Sequence, residues 1–168
     1  MLEAYLKTLE LGWFEVSEAF KGLADENVWK RPALGLLSVG ELAGHVAHWE
    51  AVRLAGDGMQ NPDLEQSKVK SILIDSRFRY YPTTISTPPS EEHLTMTAEQ
   101  VYKEIVRVHQ ESVAHFTALN PDLESAPPGV EGHWTYGEFL KYLIFHVSYH
   151  TGQMYSVRHL LGEETPDN

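Results

Sequence analysis

The stretch that decides the fold is residues 2–23, LEAYLKTLELGWFEVSEAFKGL. Its apolar residues recur in alternating steps of four and three, at Leu2, Leu6, Leu9, Trp13, Val16, Phe20 and Leu23. This spacing places them on one side of a helix, a pattern typical of a helix in a bundle. The pattern stops before Pro32, because the residue preceding a proline disfavours helical backbone. A helix with one long apolar side needs partner helices, and the rest of the chain supplies them.

Three further helix starts are marked by capping boxes, in which Ser or Thr and a Glu or Gln three residues later satisfy free N–H groups. They begin at Ser38, Thr97 and Thr135. Residues 61–96 show no helical period, and so long a connection is usually functional or poorly ordered. Its aromatic segment, residues 78–81, either covers a pocket or lies at a dimer contact. The sequence predicts an all-α fold, a four-helix bundle with a long crossover connection between helices two and three.

The composition fits one globular domain, which we expect to cover residues 1–168. Hydrophobic residues make up 42% and charged residues 22% of the chain,. The net charge of −11 argues against binding to nucleic acid or to an anionic membrane surface,. Cysteine is absent, which excludes disulfides, thiolate metal ligands and a cysteine nucleophile,. Because we find neither a signal-peptide pattern nor a long apolar stretch, we expect a cytoplasmic protein.

Histidines take inward positions on two of the predicted helices. On the fourth helix, His146 and His150 stand one turn apart where a plain bundle has leucine, and this spacing lets two imidazoles bind one ion,. On the second helix, His45 lies on the inward stripe, with His48 as a competing candidate. Three neutral imidazoles leave a coordination position for water or substrate, as in a catalytic metal site. The alternative is that these are surface histidines or hydrogen-bonded core residues.

Neighbouring residues suggest further roles, each with a simpler alternative. Gln153 continues the face of the two histidines, so it either binds water or substrate or is a satisfied core amide. Trp49 either forms an apolar wall of a substrate pocket or is plain core. Glu41 either orients His45 or only completes the capping box of Ser38, and the capping role is favoured.

The other five histidines have simpler interpretations. His93 and His133 fall in predicted loops, and His109 and His115 face outward or pack at an edge of the third helix. His159 lies in the last turns of the fourth helix, where a positive charge interacts favourably with the helix dipole,.

Three motifs resemble the DinB/YfiT-like superfamily of metalloenzymes: SVGELAGH at 38–45, HVSYHTGQ at 146–153 and VRHLLG at 157–162. The resemblance covers essentially the whole chain in helix order. It implies a four-helix bundle, often dimeric, with a divalent metal held by His45, His146 and His150. The family often has a second histidine or arginine just after the last ligand, where this chain has Thr151.

The resemblance also implies a metal-dependent enzyme acting on a small molecule, in a homodimer. Similar proteins include S-transferases that use a low-molecular-weight thiol such as bacillithiol, a mycothiol-dependent isomerase and metal-dependent hydrolases. We expect zinc or nickel, with manganese or iron as alternatives, and S-transfer with a low-molecular-weight thiol ahead of hydrolysis. Such an ion lowers the pKa of water toward about 7 or stabilises a thiolate. The rival hypothesis is a non-enzymatic metal-binding or stress-related dimer.

Overall fold

The computed structural model describes residues 1–56, 67–79, 86–128 and 134–166. Its helices are α1 (Leu2–Phe20), α2 (Asp25–Val28), α3 (Val39–Ala55), α4 (Glu91–Leu94), α5 (Ala98–Leu119) and α6 (Tyr136–Leu160), with a 3₁₀ turn at Ser76–Phe78. These residues contain no strand, so the predicted all-α fold is confirmed. The four long helices are the predicted ones, whereas α2 and α4 are single turns that the apolar pattern does not predict. No helix in the described ranges has the length and apolarity needed to cross a membrane.

The starts of three long helices follow the predicted caps. Ser38 and Thr97 form complete capping boxes at the starts of α3 and α5. Thr135 accepts a hydrogen bond from the backbone N–H of Glu138 at the start of α6. The Glu138 side chain binds Lys141 at 2.6 Å, and the reciprocal half of the predicted box is not among its described contacts. Local sequence therefore determines where these helices begin.

The long helices contact one another in the order α1, α6, α3, α5 around the core. Helices α1 and α6 run parallel, because Gly12 lies against Val147 and, further along both helices, Tyr155 donates a hydrogen bond to Glu15. Helices α3 and α5 run the opposite way. His45 of α3 contacts His150 of α6, whereas Arg53, later in α3, contacts Tyr142, earlier in α6. In the same way, Trp13 of α1 contacts His109 of α5, whereas Phe20, later in α1, contacts Tyr102, earlier in α5. Helices α3 and α5 therefore run in the same direction, which is compatible with the predicted crossover connection.

Two glycines let aromatic rings pack directly on the backbone of α3. A Cβ at Gly40 would lie 2.7 Å from Cε3 of Trp29, and one at Gly44 would lie 2.7 Å from Cδ2 of Phe78. Carbon atoms in contact are about 3.5–4.0 Å apart, so a larger residue at either position would displace the ring. Phe78 is fully buried. Phe78 is thereby held against α3 beside His45, while Tyr80 and Tyr81 of the same aromatic segment lie outside the described residues.

Candidate metal centre

Three imidazoles from α3 and α6 meet between these helices. One ring nitrogen each of His45, His146 and His150 lies within 4.8 Å of the other two. The Nε2 atoms of His45 and His146 are 3.0 Å apart. A tetrahedral zinc ion with Zn–N distances of about 2.0–2.1 Å holds its nitrogen ligands about 3.3 Å apart. The spacing of the imidazoles is therefore compatible with a divalent metal ion shared by all three.

Two of the three imidazoles are oriented by a hydrogen bond at Nδ1. His45 Nδ1 donates to the backbone carbonyl of Phe78 at 2.7 Å, which leaves the Nε2 lone pair facing His146,. His150 Nδ1 lies 2.7 Å from Oε1 of Gln153, whose amide nitrogen is 3.5 Å from the Tyr149 hydroxyl. The amide oxygen thus accepts the Nδ1–H of His150 and leaves its Nε2 as a ligand atom. Such outer contacts are what metal-binding histidines normally have.

His146 is held differently from the other two. Its ring stacks on Tyr142, with centroids 5.9 Å apart, and forms an edge-to-face contact with His150 at 4.5 Å. Its Nδ1 is buried and has no hydrogen-bond partner among the described residues. Packing, more than hydrogen bonding, therefore sets the orientation of this ring.

Burial keeps the three imidazoles neutral. Desolvation, reinforced by His150, lowers the pKa of His45 to about 4 and lowers the pKa of His146 further. Desolvation also lowers the pKa of His150. At pH 7 all three are in the form that binds a metal ion. The described cluster contains no carboxylate, so its ligands do not offset the charge of a divalent ion.

The two predicted substrate-binding residues lie beside this cluster. Gln153 bonds to His150, as described above. Trp49 follows His45 by one helical turn, is buried and donates its Nε1–H to the carbonyl of Arg79 at 2.7 Å. Their places fit the predicted roles, and binding of a substrate by them stays a prediction.

His48 and Glu41 lie outside the cluster. His48 is fully buried with its ring edge-on to Trp49, and burial lowers its pKa to about 4. Glu41 binds the Ser38 hydroxyl and backbone N–H, and it pairs with Arg31. The favoured capping role of Glu41 is confirmed, and the acceptor that orients His45 is the Phe78 carbonyl.

Sequence reasoning missed that carbonyl because a backbone group carries no side-chain signal and lies far along the chain. Gly44 is the residue that could have pointed to it, since a glycine next to a candidate ligand admits a close neighbour. The aromatic pattern at 78–81 does not indicate that Phe78 packs on α3.

Two other histidines, His93 and His109, are less exposed to solvent than predicted. His109 hydrogen-bonds through Nδ1 to the fully buried carboxylate of Glu50 and stacks on Trp13, with ring centroids 4.3 Å apart. Glu50 also accepts the Nε1–H of Trp13 at 3.0 Å. His93, predicted in a loop, lies in α4 and is buried, with Nε2 donating to the carbonyl of Ile72. His133 lies outside the described residues.

The fold and this geometry define a class of all-helical proteins with a three-histidine site suited to a divalent metal ion. A family model for the DinB superfamily matches residues 8–154, a range that contains all three histidines. The chain belongs to the DinB superfamily. Comparisons with curated proteins and with solved structures gave no match.

Proposed function

We propose that this protein is a divalent-metal-dependent enzyme in which His45, His146 and His150 hold the ion and a small molecule reacts beside it. The observation that carries the proposal is the convergence of three buried, neutral imidazoles. Catalytic zinc sites typically use three protein ligands, whereas structural sites use four. When bound, the ion supplies Lewis-acid chemistry and lowers the pKa of a water or thiol that it binds. Zinc and nickel are the expected metals.

The surroundings of the cluster favour thiol transfer over hydrolysis. Hydrolysis gains from a general base close to the attacking water, and the two buried glutamates of α3 are engaged elsewhere. Glu41 pairs with Arg31, and Glu50 binds His109 and Trp13. A thiol that reacts as its anion needs less help from a protein base, and its negative charge suits a centre with only neutral ligands. A low-molecular-weight thiol is therefore the proposed second substrate.

The chain's own residues orient the candidate ligands. The Phe78 carbonyl and Gln153 hold two imidazoles with Nε2 directed inward. The ring of Tyr142 stacks on His146, and Trp49 lies one helical turn after His45 on α3.

Metal uptake is the first test. Untagged protein freed of metal with a chelator is titrated with Zn²⁺ in a calorimeter, and we expect one equivalent per chain. His150→Ala loses one of three ligands and should bind Zn²⁺ at least about 10–100-fold more weakly, the loss typical of removing only an outer contact of a ligand. The matched control is His115→Ala, which removes an exposed histidine of α5 and should bind normally. Uptake below half an equivalent by the wild type would refute the metal centre.

Catalysis is tested on the same metal-loaded samples. We expect conjugation of an electrophile such as monochlorobimane with at least one member of a panel of cellular thiols, lost in His150→Ala and kept in His115→Ala. An ester substrate without thiol provides the hydrolysis arm. A loaded protein inactive in both arms would instead support a non-enzymatic metal-binding dimer, in which His150→Ala changes only the melting temperature. Light scattering of the same samples tests the expected homodimer.

A further inference from the structure

A small apolar pocket lies between the start of α3 and the end of α6, and the metal site does not explain it. Its walls are five aliphatic and two polar side chains, from Leu36, Leu37, Leu42, Val157 and Leu160 and from Gln153 and Ser156. Leu42 precedes His45 by one turn of α3. Gln153 follows His150 by one turn of α6. Because the two helices are antiparallel, the pocket adjoins one end of the histidine cluster.

The pocket has a buried floor and an exposed rim. Leu37, Leu42 and Val157 are buried, whereas Ser156 and Leu160 are exposed. The cavity volume is about 200 Å³. A cavity of about 150 Å³ lined by leucine, isoleucine and phenylalanine binds benzene. The pocket is therefore large enough for one phenyl ring or a short alkyl chain.

The lining favours an uncharged group. None of the described residues around the pocket carries a charge, although the chain has a net charge of −11. Ser156 Oγ donates to the carbonyl of Gly152 at 2.9 Å, and Gln153 Oε1 accepts from His150. A carboxylate or phosphate in the pocket would lose water without gaining a cationic partner, which is costly. An apolar group instead gains roughly a factor of four in affinity for each CH₂ that it buries.

Gln153 connects the pocket to the candidate centre. Its side chain lines the pocket, and its Oε1 lies 2.7 Å from Nδ1 of His150. A single amide group therefore separates the pocket from the imidazole of a candidate ligand. A chain of several bonds is enough to join a group in the pocket to an atom at the centre.

We propose that this pocket binds an uncharged apolar substituent of the small molecule that reacts at the three-histidine centre. The inference rests on the proposed function and narrows its substrate. It selects molecules that carry a phenyl or short alkyl group several bonds from the reacting atom.

Hydroxamates bind zinc through their two oxygens and test the pocket without thiol chemistry. Acetohydroxamate has no chain to fill the pocket, hexanohydroxamate has an alkyl chain, and 5-phenylpentanohydroxamate ends in a phenyl ring. Adipic monohydroxamate has the six carbons of hexanohydroxamate but ends in a carboxylate. In calorimetry on the zinc-loaded protein, we expect at least one of the two apolar probes to bind at least about tenfold more tightly than acetohydroxamate. Adipic monohydroxamate should lose most of that gain.

Two variants show whether the pocket causes the gain. Ser156→Phe places a ring in the pocket from its exposed rim and should abolish the gain. Ser148→Phe is the matched control, because Ser148 is also exposed on α6, donates to the carbonyl four residues earlier as Ser156 does, and lies outside the pocket. It should keep the gain, and both variants should bind zinc and acetohydroxamate as the wild type does.

Methyl NMR of the metal-free protein provides a readout that does not depend on the ion. Addition of 1-hexanol should shift the methyl signals of Leu37, Leu42 and Val157 in the wild type and in Ser148→Phe, but not in Ser156→Phe. Unshifted signals in the wild type, equal binding of acetohydroxamate and both apolar probes, or a gain that Ser156→Phe retains would refute the pocket alone. Failure of every hydroxamate to bind would refute the reactive centre, and the pocket's role for its substrate, even if hexanol still enters the pocket.

Discussion

Gly44→Ala should weaken metal binding without touching any metal ligand. The new Cβ would lie 2.7 Å from Cδ2 and 2.9 Å from Cγ of Phe78, whereas carbon contacts need about 3.5 Å. The ring must therefore retreat by about 0.8 Å, and because Cγ is close to the backbone, the Phe78 carbonyl moves with it. Its 2.7 Å hydrogen bond to His45 Nδ1 then reaches the limit of hydrogen bonding. Losing such an acceptor typically weakens metal affinity about 10–100-fold.

The stability change follows from two opposing terms. Replacing a helical glycine with alanine contributes about 1 kcal/mol, and overpacking costs about 1–3 kcal/mol, so Gly44→Ala should lower the free energy of unfolding by about 0–2 kcal/mol. The control is Gly152→Ala in α6, next to the ligands, where a Cβ meets nothing within 4 Å. It should raise stability by about 1 kcal/mol and leave zinc affinity unchanged. Urea unfolding and zinc titration of both variants measure these effects, and normal zinc affinity in folded Gly44→Ala would refute the reasoning.

Three further predictions concern the surroundings of the centre. Gln153→Leu should weaken zinc binding about tenfold because His150 loses its Nδ1 acceptor,. Gln153→Glu keeps an acceptor and should bind zinc as tightly as the wild type. Equal zinc affinities of the two variants in a titration would contradict this prediction. In the metal-free protein, the free energy of unfolding should fall as pH drops from about 6.5 toward about 4, because His45 takes up a proton in the unfolded chain but stays neutral when buried in the folded one,. Urea midpoints that do not change with pH in this window would contradict this prediction. Glu50→Leu should cost about 1–3 kcal/mol in urea unfolding, because buried Trp13 and half-buried His109 lose their acceptor,. Its zinc affinity should stay normal, and a selective loss of zinc affinity would show that Glu50 acts on the centre.

The parts of the fold that were predictable are those set by local sequence. Capping at Ser38, Thr97 and Thr135 involves residues three apart, so the starts of α3, α5 and α6 could be predicted within a residue. Helix α1 ends at Phe20, before its apolar stripe does, and Gly22 has a left-handed φ of 72°. The single turns α2 and α4 are too short to show a period, which is why they were not predicted.

In the candidate site, too, some features follow from local sequence and others depend on packing. Helical periodicity could place His45, His146 and His150 inward, because three-residue and four-residue steps stay on one face. It could not separate His45 from His48 by itself, since three residues differ by only about 60° around a helix. Packing separates them, and only His45 joins the other two.

The contacts that hold the site come from distant parts of the chain and were not predictable from spacing. The carbonyl that orients His45 belongs to Phe78, on the crossover. Likewise, the Cζ atom of Arg53 on α3 lies 4.5 Å from the ring centroid of Tyr142 on α6. A single sequence carries no local signal for such pairs, because they depend on which helices become neighbours.

X-ray absorption at the zinc edge of untagged, zinc-loaded protein tests the central claim most directly, because it counts the imidazoles bound to the ion. The account predicts one zinc per chain with three imidazole nitrogens at about 2.0–2.1 Å, falling to two in His45→Ala. A spectrum without imidazole scattering, or one that His45→Ala leaves unchanged, would contradict it.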